Sequence, residues 1–132
     1  MSKLIATIKK IQNVENLNIV TFDFNSISLK MMSLDLSKDI EVGKKVSLNI
    51  KPTFVAIGKN FSGELSYSNK INSTIDSIEY GELLCSIKLS SAESIFESII
   101  TAESASRMNL KVGDEVIALI KASELSISEI LQ

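Results

Sequence analysis

Two short stretches in the last third of the chain put hydroxyls and a lysine where rigid elements should end. In Thr101-Ala102-Glu103-Ser104, Thr101 closes an apolar strand-like run and precedes a helix-like one, and Ser104 falls at the third helical position. Threonine is a good N-cap, so capping alone explains part of this pattern. The first turn of a helix also offers unpaired N–H groups and a positive dipole end, which suit an anion, and two hydroxyls add donors. In Lys121-Ala122-Ser123, just past the apolar run Val116–Ile120, one fixed charge, one small residue and one hydroxyl follow each other. Ammonium, hydroxyl and main-chain N–H groups are the donors that a tetrahedral oxyanion, which only accepts hydrogen bonds, requires. Binding of such an oxyanion is the chemistry these residues fit.

Composition excludes much else. The chain has 132 residues, no histidine and one cysteine, Cys85. Without histidine there is no Ser-His or Cys-His pair, and the carboxylates do not cluster, so no enzyme and no bare metal-cation site is expected. Cys85 lies in the apolar run Leu83–Ile87 and reads as a buried core thiol; a lone cysteine suits a reducing compartment. Basic and acidic residues number 14 and 16, for a net charge of −2, and no basic block stands out. A sequence pI near 5.2 and the absence of tryptophan argue against the basic, aromatic groove of a single-strand nucleic-acid binder. The N-terminus carries no secretory pattern and no run reaches membrane-spanning length, so a cytoplasmic protein without membrane contact is expected.

The elements that must position the two stretches repeat. Leu4, Ile8, Ile11, Val20 and Phe22 recur at one constant offset as Ile71, Ile75, Ile78, Ile87 and Leu89. Val42-Gly43, Val46, Leu48, Ile50-Lys51 and Val55 recur at a slightly longer offset as Val112-Gly113, Val116, Ala118, Ile120-Lys121 and Leu125. The change of offset predicts a three-residue insertion in the second hairpin. Alternating apolar residues predict strands over 3–12, 17–24, 27–32, 46–50 and 54–57, then their counterparts up to 125–130. The fold expected is all-β: two tandem five-stranded barrels of the OB type, each with a short helix between its third and fourth strands. Residues 1–58 form the first, degenerate unit, 59–69 a Gly/Ser/Asn-rich linker, and 70–132 the second unit.

The pattern Ile100-Thr101-x-x-Ser104, Leu110-x-x-Gly113-x-x-Val116, Ile120-Lys121-Ala122-Ser123 resembles the Mop type of TOBE domain, the transport-associated OB fold that binds molybdate and tungstate. The resemblance covers most of residues 66–130, and the duplication is similar to the tandem di-Mop arrangement. It implies that Thr101, Ser104, Lys121, Ala122 and Ser123 contribute to an oxyanion site at an interface between Mop units, in a homo-oligomer for which a trimer is suggested. The family's Ser-Ala-Arg-Asn segment aligns with Ser66-Tyr67-Ser68-Asn69, which implies Ser66, Ser68 and Asn69 as further donors and leaves the arginine replaced by Ser68. In the first unit the lysine survives as Lys51, followed by Pro52 and Thr53; Lys51 and Thr53 are its candidate donors. Its helix-entrance hydroxyls are replaced by Met31 and Leu34, and a mainly structural role is expected for that unit.

The expected ligand is therefore molybdate or tungstate, without an organic cofactor, bound for storage, homeostasis or sensing. The alternative is a regulatory module acting through a partner protein, since no ATP-binding or helical DNA-binding segment is present. Direct nucleic-acid binding ranks third.

Overall fold

The computed structural model describes residues 2–131. Ten strands and one helix run in the order β1 (Ser2–Val14), β2 (Leu17–Phe24), β3 (Ile27–Leu34), β4 (Lys45–Ile50), β5 (Ala56–Gly58), β6 (Asn69–Tyr80), β7 (Leu84–Ser91), β8 (Ser94–Thr101), α1 (Ala102–Arg107), β9 (Glu115–Ile120) and β10 (Ser126–Ile130). The fold is all-β and OB-like, with the same set of strands used twice. Alternation sets which face is inward. On β2, Val20, Phe22 and Phe24 are buried while Asp23 faces solvent; on β7, Ile87 and Leu89, the counterparts of Val20 and Phe22, are buried, as is Cys85. A branched aliphatic core fills both units, with Phe22, Phe24 and Phe96 as its largest members.

The duplication extends to irregular geometry. The β1–β2 register slips between Ile8 and Lys10, and the β6–β7 register slips at the equivalent place, between Ile75 and Ser77. These bulges bend each long first strand so that it serves two neighbours. Beside each bulge sits a glycine with a left-handed backbone, Gly43 (φ 95°) and Gly113 (φ 94°). Their N–H groups donate to the Ile8 and Ile75 carbonyls, both at 2.8 Å. A side chain at that φ would be strained, which is why Val-Gly recurs.

Two findings differ from expectation. First, β2 and β3 match β7 and β8 at the same offset that relates β1 to β6, and the hairpin turns at 25–26 and 92–93 have equal length. The three extra residues instead lie between β8 and β9, where residues 102–114 correspond to 35–44. The first unit has no helix between β3 and β4; this connection is three residues shorter and lacks a cap. Leu34, not Met31, is the positional counterpart of Thr101, and a leucine cannot accept the hydrogen bond that starts a helix. Asp35 follows at φ 52° and turns the chain away. Leu36 and Ile40 pack partly against the core in place of a helix.

Second, the fifth strands cross over. The sheets are ordered β10-β4-β1-β2-β3 and β5-β9-β6-β7-β8. β5, which follows β4, pairs with β9 of the other sheet (Ala56 with Leu119, Gly58 with Ile117). β10, which follows β9, pairs with β4 (Ser126 with Asn49, Ile130 with Val46). Each sheet is completed by the other half of the chain. A short 3₁₀ turn precedes each exchanged strand, Pro52–Phe54 and Ala122–Glu124. The first packs on β8 and the second on β3.

Candidate functional site

Thr101 is the N-cap of α1, with extended backbone (φ −70°, ψ 148°). Its Oγ1 accepts from the Ser104 N–H at 3.1 Å, and its hydroxyl donates to Ser104 Oγ at 2.9 Å. Capping is thus part of what these hydroxyls do. A third group joins them. Arg107 Nη2 donates to Ser104 Oγ at 3.1 Å, and Arg107 Nε donates to Glu103 Oε2 at 3.1 Å. Arg107 is the only arginine in the chain. It stands beside the hydroxyl pair and neutralises the Glu103 carboxylate. Sequence reasoning passed over it; the spacing to Ser104 (i, i+3) and Glu103 (i, i+4) on a helix was the available signal.

The base of α1 is fixed from the linker. Lys59 Nζ donates to the carbonyls of Met108 (3.1 Å) and Asn109 (2.9 Å) and pairs with Asp114 at 3.1 Å. The Lys111 N–H donates to Asp114 Oδ2 at 3.0 Å. That amide bond first, and Lys59 second, hold the Asp114 carboxyl below the usual carboxylate range.

Lys121 and Ser123 are exposed and Ala122 is half-buried, in the 3₁₀ turn after β9. The Glu124 N–H closes this turn on the Lys121 carbonyl at 2.9 Å. Among the described residues no hydrogen bond or ion pair joins Lys121–Ser123 to Thr101, Ser104 or Arg107. The register shows why. Ile120 pairs with Asn69 at the start of β6, whereas Thr101 pairs with Leu84 beside the far end of β6, where Tyr80 pairs with Cys85. Those ends are separated by a strand contour of roughly 36 Å. One chain therefore presents two separate donor sets.

Ser123 also lines a groove of about 530 Å³ between the β3–β4 connection and β10, with Met31, Leu36, Ile127, Asp35 and Glu129. Its two carboxylates and apolar walls make the groove itself unsuited to an oxyanion.

Ser66 and Ser68 are exposed on the segment leading into β6. Asn69 is not: it is fully buried, its Oδ1 accepts from the Lys30 N–H at 2.6 Å, and its Nδ2 donates to the Lys30 carbonyl at 3.0 Å. In the first unit, Lys51 and Thr53 are exposed on the turn that packs against β8. Lys51 Nζ lies over the Phe54 ring, 5.6 Å from its centroid, a contact that holds the ammonium without consuming its charge. Lys51 and Lys121 share one backbone conformation (φ −75° and −73°), so the lysine turn is duplicated in geometry as well as in sequence.

The family model described as the TOBE domain matches residues 65–127. No curated protein matches the chain in sequence. Among solved structures, the chain is similar to the cytoplasmic molybdate-binding protein ModG in a form with molybdate bound. That likeness has a TM-score of 0.89 and 23% identity, covering 95% of this chain and 93% of that chain. It establishes the two-unit fold over nearly the whole chain. A molybdate-binding protein from Sporomusa ovata is 30% identical, with 53% of this chain covering 100% of that one at a TM-score of 0.47.

Proposed function

Because residues 65–127 match the family model of the TOBE domain, we propose that the chain is a TOBE-domain protein that binds molybdate or tungstate and performs no catalysis. The observation that carries this reading is the donor cluster Thr101–Ser104–Arg107, which lies within the matched segment and has its one carboxylate, Glu103, already paired. Hydroxyls and a guanidinium donate to tetrahedral oxygens, and a charge-assisted donor is worth about twice a neutral one. The second donor set, Lys121-Ala122-Ser123 with Ser66 and Ser68, lies elsewhere on the chain. A complete pocket on this reading brings Thr101–Ser104–Arg107 of one chain to a lysine turn of another, in a homo-oligomer. Lys51 and Thr53 offer a second copy of that turn. The proposed setting is the cytoplasm, as for ModG, and the proposed role is storage or homeostasis of the oxyanion.

Calorimetric titration of the purified protein with molybdate, tungstate and sulfate tests this. Heat with the first two, and little with sulfate, is expected. Absence of heat with all three at high protein concentration rules the reading out.

A further inference from the structure

The buried Asn69 joins both parts of the second donor set to the first unit. Its own segment carries Ser66 and Ser68. Its backbone pairs with Ile120, one residue before Lys121. Its side chain grips both the N–H and the carbonyl of Lys30, on β3 of the first unit, at 2.6 and 3.0 Å. β3 is an edge strand, bonded to β2 alone, so those two Lys30 groups point out of the sheet. The amide of Asn69 supplies the pairing that a further strand would otherwise provide. The 3₁₀ turn carrying Ala122 and Ser123 packs on the same strand. The side chain of Asn69 is thus committed to the first unit.

We infer that Asn69 is a positioning residue, not an oxyanion ligand: by clamping the start of β6 onto β3 it sets the spacing between Ser66/Ser68 and Lys121–Ser123. Affinity at the second unit then depends on a main-chain contact with the first. This gives the first unit, which lacks the helix-entrance hydroxyls, a role in binding. The inference rests on the oxyanion reading of those residues.

The clamp can be cut from either side. Asn69→Ala removes the amide. Lys30→Pro removes the N–H it accepts from; that N–H points away from β2, so proline leaves the ladder intact. Lys30→Ala keeps the N–H and controls for loss of the lysine side chain, whose Nζ donates to Thr21 Oγ1 at 3.0 Å. Calorimetric titration with sodium molybdate is run well below each variant's melting temperature. Expected is a Kd raised about tenfold in Asn69→Ala and in Lys30→Pro at unchanged stoichiometry, with Lys30→Ala like wild type and the double variant no worse than the weaker single. A purely structural role would instead lower the stoichiometry and leave Kd alone, and that result overturns the inference. Wild-type Kd in both clamp variants overturns it while leaving the oxyanion reading standing. No binding by the wild-type protein removes both.

Discussion

At the residue scale, Thr101 has two jobs that a substitution should separate. Thr101→Ala deletes the cap of α1 and should cost about 1 kcal/mol of stability, read from denaturant melts. It also removes a donor from the cluster, so molybdate affinity should fall. Ser104→Ala keeps the cap, because Thr101 Oγ1 accepts from the residue 104 amide. Affinity should then fall with little change in melting; equal stability losses in the two variants would show that Ser104 serves the fold alone. Asp114 carries a pH dependence. Its folded-state carboxyl titrates below the ordinary value of 3.8, first through the Lys111 amide and then through Lys59. Its stabilising contribution is present above that value and disappears as pH falls below it, through the lower folded value. Asp114→Asn should melt lower than wild type at neutral pH, and the gap should close below about pH 4. A gap that stays constant from pH 6 to pH 3 would mean the carboxylate charge is irrelevant.

At the element scale, the two units diverge where three residues are gained or lost between the third and fourth strands. The longer connection forms a capped helix that buries Ala105 and carries Arg107. The shorter one forms turns and leaves a groove beside β10. The exchanged strands are held by side chains as well as by ladders. Ser98 on β8, fully buried, donates to the Val55 carbonyl at 2.6 Å, just before β5. Ser98→Ala leaves that carbonyl unpaired and should destabilise the protein by about 1–3 kcal/mol, measured by urea unfolding. A loss within a few tenths of a kcal/mol would mean the carbonyl finds another donor.

At the scale of the whole molecule, crossing of β5 and β10 makes the two halves interdependent. Fragments 1–58 and 59–132, made separately, each lack the strand that the other supplies. Neither should melt cooperatively alone, and mixing them should restore a 1:1 complex with a cooperative transition by circular dichroism. Independent, monomeric, cooperative melting of both fragments would show that the exchange is dispensable. Units this small bury too little of their surface to be secure alone, and the exchange gives each a larger shared core.

Strand positions, inward residues and the duplication were legible in the sequence because they follow from local periodicity: the inward phase of Val20, Phe22, Ile87 and Leu89 needs only a period of two. The cap at Thr101 and the lysine turns were legible for the same reason, since capping and turn chemistry act within a single turn of chain. The fate of Asn69 was not. Its motif position read as a ligand, and only the arrival of β3 against it, from far away in sequence, commits its amide to Lys30. Nor was the exchange of β5 and β10 legible, because a short apolar strand after a turn pairs equally well with either of two equivalent edges as far as its own residues show. The sequence by itself determined two OB-like units and the residue types of the proposed oxyanion site. The tertiary structure alone decided which edge each last strand completes, and that Thr101–Ser104 and Lys121–Ser123 lie apart, because both depend on contacts between residues distant along the chain.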